Sequence, residues 1–175
     1  PHPDDDVISM GGTFQRLVNQ GHEVHVAYQT SGNIAVGDEE VIRYTSLFKS
    51  LLKKFDPDNS TLKAKLNELR GFLLNEKTKD DLDTPEILFI KGRIRREEAL
   101  SADRYVGLPE ENVHFLDLPF YETGRVKKNP ISVQDVHIVK DFIETIQPHQ
   151  IYVAGDLADP HGTHKVCLDA ILAAV

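Results

Sequence analysis

The sequence predicts an α/β fold with a mostly parallel sheet. Short β-rich apolar runs alternate with longer segments of helical periodicity. The stretches between successive strands are long enough for crossover connections, which parallel strands require. The two segments richest in His and Asp both fall at strand-to-helix turns, so both belong on one rim of the sheet, where α/β proteins build their sites.

The elements follow in order. Residues 7–20 alternate apolar and polar positions near helical spacing, and Gly21 stops that helix. Residues 22–29, with Val24, Val26 and Tyr28, form a strand. A loop over 30–38 leads to a helix over 39–55, with acids first and Lys53 and Lys54 last, as the helix dipole favours. Asp56 and Pro57 break it, and 61–76 is a further helix. Residues 77–84 form a charged, exposed link. Residues 85–106 form a long helix with Pro85 in its first turn and Gly107 just past its end. Residues 113–116 are a second strand, and 119–130 a polar loop. Ser132 caps a helix reaching 146. Residues 150–154 are a third strand, 155–162 a loop, and a helix runs from Thr163. A chain that opens at Pro1 inside a motif and closes at Val175 inside a helix reads as cut at both ends, with its first strand upstream.

Composition narrows the function classes. The 175 residues suit one domain, and 40% hydrophobic residues suffice for an ordinary core. A net charge of −8 argues against nucleic acid. No apolar run approaches the roughly 20 residues of a membrane span. The single cysteine, Cys167, excludes an internal disulfide and fits a reducing, cytoplasmic setting. It reads as a small buried residue, since no base accompanies it as a nucleophile would need.

The chemistry concentrates in two places. Pro1-His2-Pro3-Asp4-Asp5-Asp6 opens the chain, and Asp159-Pro160-His161-Gly162-Thr163-His164 lies near its end. Taken alone, the acidic triplet is a solvated helix start and the histidine pair an ordinary loop feature. Together on one rim they form a candidate zinc centre, with His nitrogen and carboxylate oxygen as ligands and one position open for water. Pro3 stiffens the turn, so His2 and Asp5, three residues apart, converge as ligands. Asp4 is left to lean toward the open position as general base. His161 or His164 completes the set; His164 is favoured because it sits just inside a helix, leaving His161 to bind a carbonyl oxygen or protonate a leaving amine. Asp6 is expected to cap backbone N–H groups or orient a neighbour. His22, His25, His114, His137 and His149 stand alone and read as ordinary surface or core residues. Gly11 and Gly12 inside the first helix read as a close helix-to-sheet contact. Arg93, Arg95 and Arg96 read as a solvated face, unless one of them reaches the site.

The opening motif followed by Gly11-Gly12-Thr13 resembles the signature of the LmbE/PIG-L family of zinc-dependent de-N-acetylases, Ala-His-Pro-Asp-Asp-Glu with a later Gly-Gly-Thr. The family's His-Pro-Asp-His is matched by His161-Gly162-Thr163-His164, and its Arg-x-x-Glu helix by Arg95-Arg96-Glu97-Glu98. Residues 37–84 stand outside the match as a helical insertion in a single domain over 1–175. The resemblance implies a Rossmann-like three-layer α/β/α fold and Zn2+ held by His2, Asp5 and His164. It implies Asp4 as general base, His161 at the oxyanion or leaving group, and Arg95 in substrate binding. Asp6 stands where the family has Glu, and Gly162-Thr163 where it has Pro-Asp, which leaves Asp159 or Asp156 to supply the missing acid.

The expected partner is a small-molecule N-acetylated amino sugar of the N-acetylglucosamine type, converted to acetate and a free amine. No nucleic acid or membrane partner is expected; a homo-oligomer is left open. Some bacterial members join such a domain to a glucosamine-6-phosphate deaminase-like domain, so an upstream fused domain is a further expectation. The rival readings are a non-catalytic sugar-binding or regulatory module of such an amino-sugar enzyme, and a metal-free enzyme acting on phosphorylated sugars.

Overall fold

A computed structural model describes residues 1–78, 80–155 and 158–175. In chain order its elements are α1 (Asp5–Asn19), β1 (Val26–Tyr28), α2 (Asp38–Phe55), α3 (Ser60–Gly71), α4 (Pro85–Val106), β2 (Val113–Phe115), α5 (Val133–Ile146) and α6 (Thr163–Ala174). A π-helical segment, Phe72–Glu76, ends the stretch expected to be one helix over 61–76. The protein is thus a mixed helix and sheet structure with a small parallel sheet. β1 and β2 pair in register Val26 with Val113, Ala27 with His114 and Tyr28 with Phe115. No helix among the described residues is long and apolar enough to cross a membrane.

The expected third strand, residues 150–154, forms no ladder among the described residues. Its β-rich composition is a side-chain property. A strand also needs a neighbouring backbone to receive its N–H and C=O groups, and these residues have none here. The side chains of Ile151 and Tyr152 are correspondingly exposed.

The chain divides into two compact units, 1–32 with 95–175, and 33–94. In the first, Leu118, Phe120, Tyr121, Val139, Cys167 and Ala170 form the core, with α5 packed on α6. Burying each large apolar side chain contributes about 1.5–3 kcal/mol. Ser132 caps α5 in a reciprocal box with Asp135, whose other oxygen accepts from Phe120 N–H at 2.9 Å and so fixes the core segment to the helix start. Cys167 is fully buried, and burial pushes its thiol up to about 12, an inert state.

The second unit contains α2 and α3 and the first part of α4, and it includes the stretch 37–84. Its apolar centre is Val41, Leu69 and Ile87. Beside it Lys77 and Lys91 each bond both Asp38 and Asp83, at 2.5–2.9 Å. The residues expected to be a charged, exposed link therefore contribute Lys77 and Asp83 to an ion network, with both side chains mostly buried.

Gly11 and Gly12 do not mark a close contact. A Cβ at Gly12 would meet nothing within 4 Å, and one at Gly11 only Val7 of the same helix. They follow a kink instead: Met10 leaves helical geometry at φ −144°, ψ 23°, and flexible glycines accommodate the restart.

Candidate metal centre

Local hydrogen bonds build the first half of the site. The turn is closed by Asp4 N–H and Asp5 N–H donating to His2 C=O, at 2.8 and 3.2 Å. Pro3 is fully buried beneath it. Asp5 turns its carboxylate back, and Oδ2 accepts from the His2 backbone N–H at 2.7 Å. That fold-back lies in the first turn of α1 and places the His2 ring and the Asp5 carboxylate on one point.

α6 brings the second half. Asp159 organises its start: Oδ1 accepts from His161 N–H and Oδ2 from His164 N–H, each at 3.0 Å, and its carbonyl accepts from Gly162 N–H at 3.1 Å. Gly162, at φ 71°, makes the turn into the helix. Burial works against the Asp159 charge, but the two backbone donors hold its carboxyl below the usual carboxylate range.

Three side-chain atoms then meet. His2 Nδ1 lies 3.2 Å from Asp5 Oδ2, His164 Nε2 lies 3.3 Å from the same oxygen, and the two nitrogens are 3.3 Å apart. Zinc bound tetrahedrally at about 2.0–2.1 Å needs ligand atoms about 3.3–3.4 Å apart. The triangle fits that requirement, and two imidazoles with one carboxylate are a zinc donor set. Burial pushes the Asp5 carboxyl up, but the His2 hydrogen bonds and the nearby His164 outweigh it and hold Asp5 below the usual range, ready as a charged ligand. Tyr121, from the 119–130 loop, sets its ring edge-on to His2 at 5.8 Å between centroids, and the Lys128 ammonium sits over the Tyr121 ring, 3.7 Å from its centroid.

Asp4 stands next to this triangle and is paired with Arg95 of α4, Nη2 to Oδ2 at 2.8 Å. Arg95 also bonds Glu98 Oε2 at 2.5 Å and reaches the Pro3 carbonyl at 3.5 Å. Of the three arginines expected on a solvated face, Arg95 therefore reaches the site. Arg96 does not lie free either: it pairs with Asp117 and stacks over Phe115 at 4.7 Å. His161 is exposed and stands outside the triangle. Asp156 lies outside the described residues.

Several relationships have no sequence signal. Asp6 does not cap the helix: both its oxygens are buried without a hydrogen bond, and it faces Asp103 and Tyr28. Asp103 is fully buried and accepts from Tyr28 Oη at 3.2 Å, while burial and the Asp6 charge raise its carboxyl. His25 and His114 do not stand alone; their rings meet across the sheet, Nδ1 to Nε2 at 3.0 Å. Gly32, at φ 65°, leaves room for the site: a Cβ there would lie 2.9 Å from Pro3 Cδ and 3.3 Å from Arg95 Nε.

A glucosamine-6-phosphate deaminase-like protein of Bacteroides thetaiotaomicron is 60% identical over 176 residues, covering 100% of this chain and 26% of that relative. The chain thus spans about a quarter of the length of the curated relative it matches. No solved structure matches. The PIG-L family profile, described as GlcNAc-PI de-N-acetylase, matches residues 1–175 from end to end, and the chain belongs to this LmbE-like PIG-L family.

Proposed function

We propose that this chain is a zinc-dependent N-deacetylase that removes acetyl from an N-acetylglucosamine-type amino sugar or conjugate. His2 Nδ1, Asp5 Oδ2 and His164 Nε2 would hold the metal, and their mutual spacing is the observation that supports the reading. When bound, zinc polarises an amide carbonyl and makes water a competent nucleophile at neutral pH. Asp4 takes the water proton on Oδ1, since Oδ2 is engaged by Arg95. Arg95 holds that carboxylate in place and, standing beside it, takes part in binding the substrate. His161, exposed at the mouth of α6, donates to the developing oxyanion or to the departing amine. Asp159 supplies the acid absent from the second motif, as an anchor for the backbone of both histidines. Attack on the amide carbon and cleavage of the C–N bond give acetate and the free amine. This reading places the chain in a Rossmann-like three-layer fold with 37–84 as an insertion, acting in the cytoplasm.

The test is metal content measured together with acetate release from a panel of N-acetylated amino sugars. Stoichiometric zinc with release is the expected result, and His164→Ala and Asp5→Ala should lose the metal while His161→Ala keeps it. A metal-free protein that turns over, or full zinc in Asp5→Ala, would overturn the assignment. The 60% identity to part of a deaminase-like protein favours a second reading, a non-catalytic sugar-binding module of a larger amino-sugar enzyme. Sugar binding with zinc present and no acetate release would select it.

A further inference from the structure

The second unit carries a groove of ≈ 420 Å³ between α2 and α3, lined by no residue assigned chemistry so far. Its charge is one-sided. Lys49, Lys53, Lys63 and Arg70 line it against a single carboxylate, Asp56, in a chain whose net charge is −8. The neutral polar groups of the groove are already engaged. Ser46 Oγ donates to Ile42 C=O at 2.7 Å and Ser50 Oγ to Ser46 C=O at 3.1 Å. The Asn59 amide donates to Asp56 at 2.9 Å and its oxygen accepts from Leu62 N–H at 3.1 Å. Arg70 is held through Nη1 by Ile42 C=O at 2.9 Å and by Ser46 Oγ, so its guanidinium is fixed in advance. Lys49, Lys53 and Lys63 have no carboxylate partner among the described residues.

A second groove in the same unit provides the contrast. It measures ≈ 310 Å³ and is lined by Lys65, Glu68, Glu76 and Glu86, with Lys65 paired to both Glu68 and Glu86 at 3.1 Å. There the acids outnumber the base three to one, whereas between α2 and α3 the bases outnumber the acid four to one. Like charges gathered around a concave surface raise the local concentration of an oppositely charged ligand, and the volume falls in the range of about 300–1,000 Å³ typical of small-molecule pockets.

We propose that the α2–α3 groove binds the phosphate group of a phosphorylated small molecule. The three lysines supply mobile point charges and Arg70 a positioned fork, the two complementary ways proteins hold phosphate. The site is independent of the metal centre and of the reaction proposed there.

Inorganic phosphate and, separately, pyrophosphate titrated into the chain at low ionic strength test this, read by amide chemical shifts and calorimetry. Saturable binding is expected, tighter for pyrophosphate, with shifts confined to residues 46–70. Lys53→Ala combined with Lys63→Ala should weaken it about tenfold or more, the loss of charge-assisted bonds. Both side chains are exposed, so the fold should persist by circular dichroism. Lys54→Ala, on the same helix outside the groove, should bind as the unaltered chain does. No saturation, shifts centred on His2 and His164, or equal binding by the double variant would each overturn the proposal.

Discussion

The guanidinium of Arg95 bonds the carboxylate of Asp4, Nη2 to Oδ2 at 2.8 Å, beside the triangle of His2, Asp5 and His164. Burial disfavours the Arg95 charge, yet Asp4 and Glu98 together raise its pKa. The bond uses one oxygen of Asp4 and fixes the orientation of the other. A base for a water molecule needs that combination: a set direction and an open lone pair.

Asp4→Asn should therefore keep the metal and lower kcat by about 10²–10⁴-fold, the usual weight of a general base. Arg95→Lys should also keep the metal yet lower kcat, because one ammonium cannot hold Asp4 and Glu98 in the geometry of a planar fork. Metal analysis beside steady-state kinetics separates these outcomes from loss of the site. Unchanged kcat in Asp4→Asn would remove Asp4 as base.

Asp159→Ala should weaken metal binding, although Asp159 belongs to no ligand set. Its carboxylate receives the backbone N–H groups of His161 and His164, and without it the first turn of α6 loses its anchor. Loss of a cap costs about 1 kcal/mol, and disturbed support of a ligand lowers metal affinity roughly 10–100-fold. Competition with a zinc chelator measures it. Asp159→Asn keeps one acceptor oxygen and should fall between the two; equal affinity in all three would exclude the anchoring role.

Asp103 should make stability depend on pH. Burial first, then the Asp6 charge, raises its carboxyl from 3.8 to about 7, although the Tyr28 hydroxyl pulls the other way. A carboxyl raised in the folded state is stabilising below its unfolded value, and that contribution is lost as pH rises through the folded one. Asp103→Asn, permanently neutral, should thus match the unaltered protein near pH 4 and exceed it by pH 8, by on the order of a kcal/mol or more. Thermal melts across that range would show the curves diverging; parallel curves would mean Asp103 does not titrate there.

Gly32→Ala should destabilise the protein and disturb the Asp4–Arg95 pair. The left-handed backbone at φ 65° costs a side chain about 1–2 kcal/mol, and the added Cβ would press on Pro3 and Arg95. Gly21→Ala is the control, since it shares a positive φ of 77° but meets nothing within 4 Å. Denaturant unfolding should show loss in both, and kcat should fall only in Gly32→Ala.

The sequence by itself determined what short-range geometry determines. Helix α4 runs from Pro85 to Val106 as its end signals require, and Ser132 caps α5 through a partner three residues on. The convergence of His2 and Asp5 is equally local, since a turn of three residues sets it. Tertiary structure alone decided the rest. Which arginine of Arg93, Arg95 and Arg96 would meet Asp4 depends on how α4 lies beside the opening turn. The meeting of His25 with His114 depends on strand register, and the burial of Asp6 against Asp103 on helix packing. Residues 150–154 carry a strand's composition without a strand's partner. Turns and helices close their hydrogen bonds within a few residues, so composition and spacing reveal them. Pairs and ladders close theirs between segments distant in the chain, where no periodicity records which partner is chosen.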